Sequence, residues 1–337
     1  MKNIIEKDIA IIGAGPTGIF TVFEAGMLGY SCVVVDSLEE IGGQLSALYP
    51  EKPIYDIPGY PTILAKELVE KLVEQAAPFN PVYILNEQAD ALHKEGDTFI
   101  FTAGENTIKA KVVVIAAGGG MFTPRKPPLE NIESYENKCL FYAVRDKSRF
   151  KDRIVTIAGG GDSAADWAVE LAPDAKQIHI VHRRAEFRAA EETVKKLYAL
   201  EKEGKIIIHT PCQLAELHGE DGQLNKITVA DLDANTSEFE TDDLLCFFGI
   251  APNLGPLANW DLELKARKIV VNPETMQSSQ EGILAVGDIA SYPAKISLIL
   301  TGFAEAALAT KTAQAIINPE KKFKVIYSTS KGIPDEK

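Results

Sequence analysis

Thiols are scarce in this chain. Its 337 residues hold four cysteines, Cys32, Cys139, Cys212 and Cys246, and no two stand in a CxxC pair. Such scatter excludes a disulfide framework and offers no metal-ligand spacing, so no metal is expected. Long apolar runs are missing as well. No window approaches the roughly 18–20 apolar residues of a membrane span. The first apolar run is short and enters a glycine turn, unlike a signal peptide. The expectation is a cytoplasmic chain with reduced thiols. Positive charge is in deficit: 35 Lys and Arg against 48 Asp and Glu leave a net charge of −13, which argues against nucleic acid as a partner. A hydrophobic content of 46% supports full cores, and the length leaves room for two domains.

Against these absences, two glycine-rich turns stand out. Gly13-Ala14-Gly15-Pro16-Thr17-Gly18 follows the apolar run Ile9-Ala10-Ile11-Ile12. Gly159-Gly160-Gly161-Asp162-Ser163-Ala164 follows Ile154-Val155-Thr156-Ile157-Ala158. Each has the strand, turn and helix context of a dinucleotide fingerprint. Small residues let the backbone approach a pyrophosphate, whose charge then rests on the helix N-terminus. One chain with two nucleotide sites points to passing electrons from one nucleotide to the other.

The second strand of each unit says which nucleotide fits. After the first turn, Cys32-Val33-Val34-Val35 ends in Asp36, an acid placed to bond an adenosine ribose hydroxyl. A carboxylate there repels a 2′-phosphate, so this half suits FAD or NAD. After the second turn, Gln177-Ile178-His179-Ile180-Val181 ends in His182-Arg183-Arg184, with Arg188 following. Guanidinium forks suit a 2′-phosphate, so this half suits NADP.

The rest of the chain reads as a repeated α/β plan. Helices are expected over Ala65 to Gln75, Asp162 to Leu171, Ala190 to Lys202 and, after Thr301-Gly302, over Phe303 to Ile316. Val82–Leu85 and Phe99–Thr102 bracket the polar stretch 94–97 and are expected to form a hairpin, and a further hairpin is expected after the strand Ile206–His209. A strand ending in Gly118, the prolines 124, 127 and 128, and Ala251-Pro252-Asn253 mark the passages out of and back into the first unit. A last segment with one helix lacks a core of its own, so it must rejoin the first unit. The fold class is α/β, with two Rossmann-like domains, one inserted into the other: 1–118 with 249–325, and 119–248, followed by a short extension, 326–337.

Over nearly its whole length the arrangement resembles the two-dinucleotide-binding-domain flavoproteins of the thioredoxin-reductase-like branch. Gly13–Gly18 with Asp36, the Val112–Gly118 strand, Gly159–Ala164 with the run from His182 to Ala189, and Gly287-Asp288 carry the likeness. Thioredoxin reductase itself needs a CxxC upstream of its second glycine turn. Here that window reads Tyr142-Ala143-Val144-Arg145, with only Cys139 nearby. The chain is more similar to the thioredoxin-reductase-like ferredoxin–NADP reductases, through the run from Ala47 to Asp56, Gly161–Trp167 and the tail Ile326–Ser330.

That resemblance implies FAD in the first domain and NADP(H) in the inserted one. It implies that Tyr49 stacks on one flavin face and Tyr327 of the extension on the other. It carries Gly13, Gly15, Thr17, Gly18, Asp36, Gln44, Ala89, Phe122, Asp288 and Thr329 as further FAD positions. It carries Gly159, Gly161, Asp162, Ser163, Ala164, His182, Arg183, Arg184 and Arg188 as NADP positions. Asp288 would bond the ribitol, and the helix after Thr301-Gly302 would turn its positive end toward the flavin N1–O2 edge. The implied activity takes hydride from NADPH to flavin N5 and then gives single electrons to a ferredoxin or flavodoxin; no acid–base pair is required. A homodimer is implied too. Acidic carriers would dock on a basic patch, for which Arg145, Lys147, Arg149, Lys151 and Arg153, or Lys321, Lys322 and Lys324, are candidates. The rivals are an NADPH-dependent reductase of a small disulfide or quinone, without a protein dithiol, and a nucleotide-sensing protein without turnover.

Overall fold

The strand Asn3–Ile12 runs up the centre of a seven-stranded sheet, parallel to Cys32–Val35 on one side and Asn106–Ile115 on the other. Val82–Ile84 extends the sheet beyond Cys32–Val35, also in parallel. Asn106–Ile115 forks: its residues 106–110 pair antiparallel with Thr98–Ala103, and its residues 113–115 pair parallel with Ile283–Ala285. Where they pair in parallel, Ile9–Ile12, Cys32–Val35 and Val112–Ile115 are apolar on both faces, as expected for a sheet covered by helices on each side. A computed structural model of the chain describes residues 3–324 and 328–332.

Contacts divide the chain into two units, Met1–Phe122 with Pro252–Lys337, and Thr123–Ala251. In the first, the helix Pro16–Met27 begins with proline at a position where no N–H is needed. It buries Ile19, Val22 and Ala25 at helical spacing. The helix Ala65–Ala76 buries Leu68, Val69 and Leu72, and Glu67 accepts the Leu64 N–H at 3.1 Å to close its first turn. The third long helix, Ile299–Ile317, is docked on Pro16–Met27 through Phe20 and Phe303, whose ring centroids lie 4.8 Å apart.

The second unit has a five-stranded parallel sheet in the order Leu140–Phe141, Asp243–Cys246, Ile154–Ala158, Gln177–Val181, Ile206–His209. The helices Asp162–Leu171 and Glu191–Lys202 belong to it. An antiparallel meander, Cys212–Glu220, Gln223–Asp231 and Thr236–Glu240, completes it.

Three local expectations need correcting. Thr98–Ala103 forms its hairpin with Asp90–Glu95, not with the strand at Val82. Asp90–Glu95 is an edge strand exposed along nearly its whole length, so it carries no apolar alternation to read. The last helix opens at Ile299, which puts Thr301 and Gly302 inside its first turn. The expected second-unit hairpin has a third strand, Thr236–Glu240.

Candidate functional site

In the first unit each glycine of the turn meets a different demand. Gly13 has φ +111°, and a Cβ there would lie 2.4 Å from the Ala116 carbonyl oxygen. A Cβ on Gly18 would lie 1.9 Å from the Gly13 oxygen, so only glycine lets the helix close on the turn. Gly15 faces open space, its nearest neighbour being Gly43 Cα at 4.0 Å from an ideal Cβ. The Gly42 N–H donates to the Ala14 carbonyl at 2.8 Å, which lays the Gly42-Gly43 backbone beside the turn. The result is a cradle of bare backbone at a helix N-terminus, the geometry that admits a pyrophosphate.

Asp36 ends the strand Cys32–Val35 and is 9% exposed. Its Oδ2 accepts the Ala14 N–H at 2.6 Å and its Oδ1 the Leu38 N–H at 2.9 Å. Burial pushes its pKa up, while the bonds from Leu38, Ala14 and Ser37 pull it back. Asp36 thus braces the glycine turn, and its carboxylate retains lone pairs for a further donor.

A second group of residues meets beside the start of Pro16–Met27. A Cβ on Gly302 would lie 2.3 Å from Thr17 Oγ1, and one on Gly287 would lie 3.2 Å from the same atom. Thr17, the Gly287–Ile289 turn and the first turn of Ile299–Ile317 are therefore packed together. Asp288 is half-buried in that turn. Burial and the Asp288 charge push the Tyr49 hydroxyl above its ordinary pKa, which associates these two positions. Gln44 approaches Gly118, its Nε2 lying 3.4 Å from an ideal Cβ there. Ala89 is in the core, and Phe122 falls in the strand Met121–Pro124. Thr329 is exposed in the short helix Ser328–Lys331, and Tyr327 lies outside the described residues.

A buried network lies here that no motif in the sequence marks. Glu305 accepts from the Gly287 N–H, the Tyr292 hydroxyl and the Lys295 ammonium. The available signal was an acid at position 305 on the buried stripe of an alanine-rich helix.

In the second unit, Gly159 would drive a Cβ to 2.6 Å from the Phe247 oxygen, and Gly161 has nothing within 4 Å. Ala164 is buried against the turn, while Asp162 and Ser163 are exposed at the helix start. Asp162 Oδ1 accepts the Ala190 N–H at 2.8 Å, and the Arg188 N–H donates to the Gly160 oxygen at 2.7 Å. These two bonds fold the basic segment back over the glycine turn. His182 does not face outward. A Cβ on Gly160 would lie 2.2 Å from its ring, and its Nε2 lies 3.1 Å from the Glu186 carbonyl, to which it donates. Burial holds its pKa low. Arg183, Arg184 and Arg188 are exposed, and Arg184 and Arg188 line an open depression of about 330 Å³ with Ala185, Glu186 and Phe187.

The candidate docking residues are partly committed elsewhere. Lys147 pairs with Glu170 at 2.7 Å, and Arg149 and Arg153 both reach the buried Asp243. Arg145, Lys151, Lys321, Lys322 and Lys324 are exposed. All four cysteines are free. Burial pushes Cys32 up to about 12 and raises Cys139, Cys212 and Cys246 as well, so none is a ready thiolate at neutral pH. Among the described residues no cluster of metal-ligating side chains forms, and no helix is long and apolar enough to cross a membrane.

Residues 7–313 match the family model described as pyridine nucleotide-disulphide oxidoreductase. The chain belongs to that family. It is 52% identical over 333 residues to a ferredoxin--NADP reductase of Wolbachia pipientis subsp. Culex pipiens, covering 98% of this chain and 99% of the relative. It is 51% identical to the ferredoxin--NADP reductase of Ehrlichia chaffeensis, over 97% and 98%. In fold it is similar to Lactococcus lactis thioredoxin reductase, with a TM-score of 0.78 over 92% of this chain and 99% of that one, at 23% identity. Membership in the family together with these neighbours establishes the thioredoxin-reductase-like α/β architecture with two Rossmann-like units.

Proposed function

We propose that this chain is an FAD-dependent oxidoreductase that carries electrons between NADPH and a ferredoxin or flavodoxin. Its two glycine cradles with opposite charge at matching places carry the reading: Asp36 braces one, and Arg183, Arg184 and Arg188 border the other. The likeness to relatives named ferredoxin--NADP reductase over nearly the full length supports the electron carrier as partner.

The residues fit the two nucleotides. Bare backbone at Gly13, Gly15 and Gly18 would take the FAD pyrophosphate, and the Gly42-Gly43 strip would border it. Asp36 would accept from the adenosine ribose and Asp288 from the ribitol. Tyr49, Gln44, Thr17, Thr329, Phe122 and the backbone of Ala89 would line the flavin, with Tyr327 covering it. Gly159, Gly161 and the helix start at Asp162, Ser163 and Ala164 would hold the NADP pyrophosphate. The arginines would neutralise the 2′-phosphate, while His182 keeps Gly160 in place beneath them. When bound, FAD supplies two-electron acceptance from NADPH and one-electron release to the carrier. The protein's own part is orientation, charge and exclusion of water. Residues 1–118 with 249–325 would form the FAD domain, 119–248 the NADP domain and 326–337 a cover for the flavin. A cytoplasmic homodimer with transient carrier contacts completes the proposal.

The deciding experiment is anaerobic reduction by NADPH followed by cytochrome c, with and without ferredoxin. Bleaching of a yellow protein and ferredoxin-dependent cytochrome reduction are expected. Bleaching without carrier transfer, but with turnover of small disulfides or quinones, would replace this reading by the dithiol-free reductase. Flavin that stays oxidised would leave a binding protein.

A further inference from the structure

The buried face of the helix Ile299–Ile317 carries Gly302, Ala306, Ala309 and Ala313 with the polar Thr310 and Gln314, and Glu305 is the one charged residue on it. Glu305 is 2% exposed and Lys295, its ion-pair partner, is nearly as buried. Removing a carboxylate and an ammonium from water costs several kcal/mol each, and an apolar pair of similar volume is often as stable. Fold stability alone is therefore a weak reason for this pair. Its geometry gives a stronger one. Oε2 accepts the Gly287 N–H at 2.7 Å, and Oε1 accepts the Tyr292 hydroxyl at 2.5 Å together with the Lys295 ammonium. Tyr292 and Lys295 thus fix one carboxylate oxygen so that the other meets the Gly287 N–H.

Gly287 has φ +74°, a conformation that glycine adopts freely and does not hold by itself. Its neighbour Asp288 is the acid proposed to bond the ribitol. We propose that Glu305 is a positioning residue for the flavin: it anchors the Gly287 N–H and so aims the Asp288 carboxylate, acting through Asp288 rather than on the cofactor. Tyr292 and Lys295 are its supports. Thr17 packs against both Gly287 and Gly302 and so borders the same turn. The inference rests on the reading of this unit as the FAD site.

Three variants test it on apoprotein titrated with FAD. Lys295→Met with Glu305→Leu removes the acceptor and leaves no buried charge. Lys295→Met with Glu305→Gln returns an acceptor for the Gly287 N–H. The first should weaken FAD binding by about tenfold or more, the scale of one lost hydrogen bond to a charged group. It should also shift the flavin absorbance and midpoint potential. The second should recover FAD affinity to within about threefold of wild type. Tyr292→Phe, which keeps both charges, should weaken FAD by about threefold and decides the matter should the first variant not fold. Wild-type affinity, spectrum and potential in the Leu/Met and Phe variants, or a Gln variant no better than the Leu variant, would overturn the inference. A wild-type protein that binds no FAD would instead overturn the flavin reading beneath it.

Discussion

A methyl group at residue 302 should cost stability only while Thr17 is present. Thr17 stands near the start of Pro16–Met27 and Gly302 near the start of Ile299–Ile317. An ideal Cβ at 302 falls 2.3 Å from Thr17 Oγ1, 3.3 Å from its Cγ2 and 3.4 Å from its Cβ. Either the helix retreats by about 1 Å or Thr17 leaves its rotamer, and such overpacking costs about 1–3 kcal/mol. Alanine for glycine returns up to about 1 kcal/mol of helix propensity. The clash wins, with a net loss of about 1–2 kcal/mol for Gly302→Ala. In a unit of about 200 residues each kcal/mol moves the melting temperature by about 2–4 °C, so a fall of about 2–8 °C is expected. Thr17→Ala deletes the two nearest atoms and leaves the new methyl in ordinary contact at 3.4 Å. The double variant should then melt at or above Thr17→Ala alone. Thermal melts of the four proteins give the coupling energy, expected at about 1–3 kcal/mol and favourable in the double. Gly302→Ala melting at the wild-type temperature, or a double variant that falls as far below Thr17→Ala as Gly302→Ala falls below wild type, would refute the argument.

Two further predictions concern the second unit. Arg184→Ala should weaken 2′,5′-ADP by about tenfold and leave 5′-ADP unchanged, whereas His182→Leu, which loosens Gly160, should weaken both alike; calorimetry separates them, and a His182 effect confined to the 2′-phosphate would make the imidazole a phosphate ligand. His179 and His209 stack on Phe239 at 4.2 and 4.3 Å, and burial together with the His209 charge holds His179 at about 4 while burial lowers His209. The unfolded chain protonates both near pH 6.5, so this stability is full above that pH and is lost as pH falls toward about 4, at up to about 1.4 kcal/mol per unit for each ring. Melts from pH 7.5 to 4.5 should show the loss shrinking in a His179→Leu, His209→Leu variant, and an unchanged slope there would assign it to other groups.

The two sheets are legible because their central parallel strands are buried on both faces where they pair. Val112–Ile115 is apolar without a break, Ile154–Ala158 is broken only by the buried Thr156, and each run ends at small residues. The helix Asp162–Leu171 was legible to its ends, since a glycine turn starts it and Ala172-Pro173 follows it. Asp90–Glu95 escaped because an exposed edge strand needs only backbone partners, here on Thr98–Ala103. The opening of Ile299–Ile317 is not legible, because Thr301-Gly302 reads as a boundary. Gly302 lies inside the helix to make room for Thr17, a demand from a residue 285 positions earlier.

Sites divide along the same physical line. A cradle for phosphate needs bare backbone over a few consecutive residues, so its glycines stand together and can be read. Aiming a side chain needs partners that the fold supplies from elsewhere. Glu305 reaches back 18 residues to Gly287, and nothing near position 305 names that partner. His182 shows the limit most sharply, because it sits inside the basic motif. Motif position assigns it to the loop beside Arg183 and Arg184, but not to a side of it. The side is settled by the return of the chain, where Arg188 N–H meets the Gly160 oxygen and the Glu186 carbonyl takes the imidazole Nε2. Those two bonds press the ring onto Gly160 and leave the guanidinium groups exposed. One motif therefore contains two kinds of residue, a floor and a rim, and only the rim carries the charge that a 2′-phosphate requires.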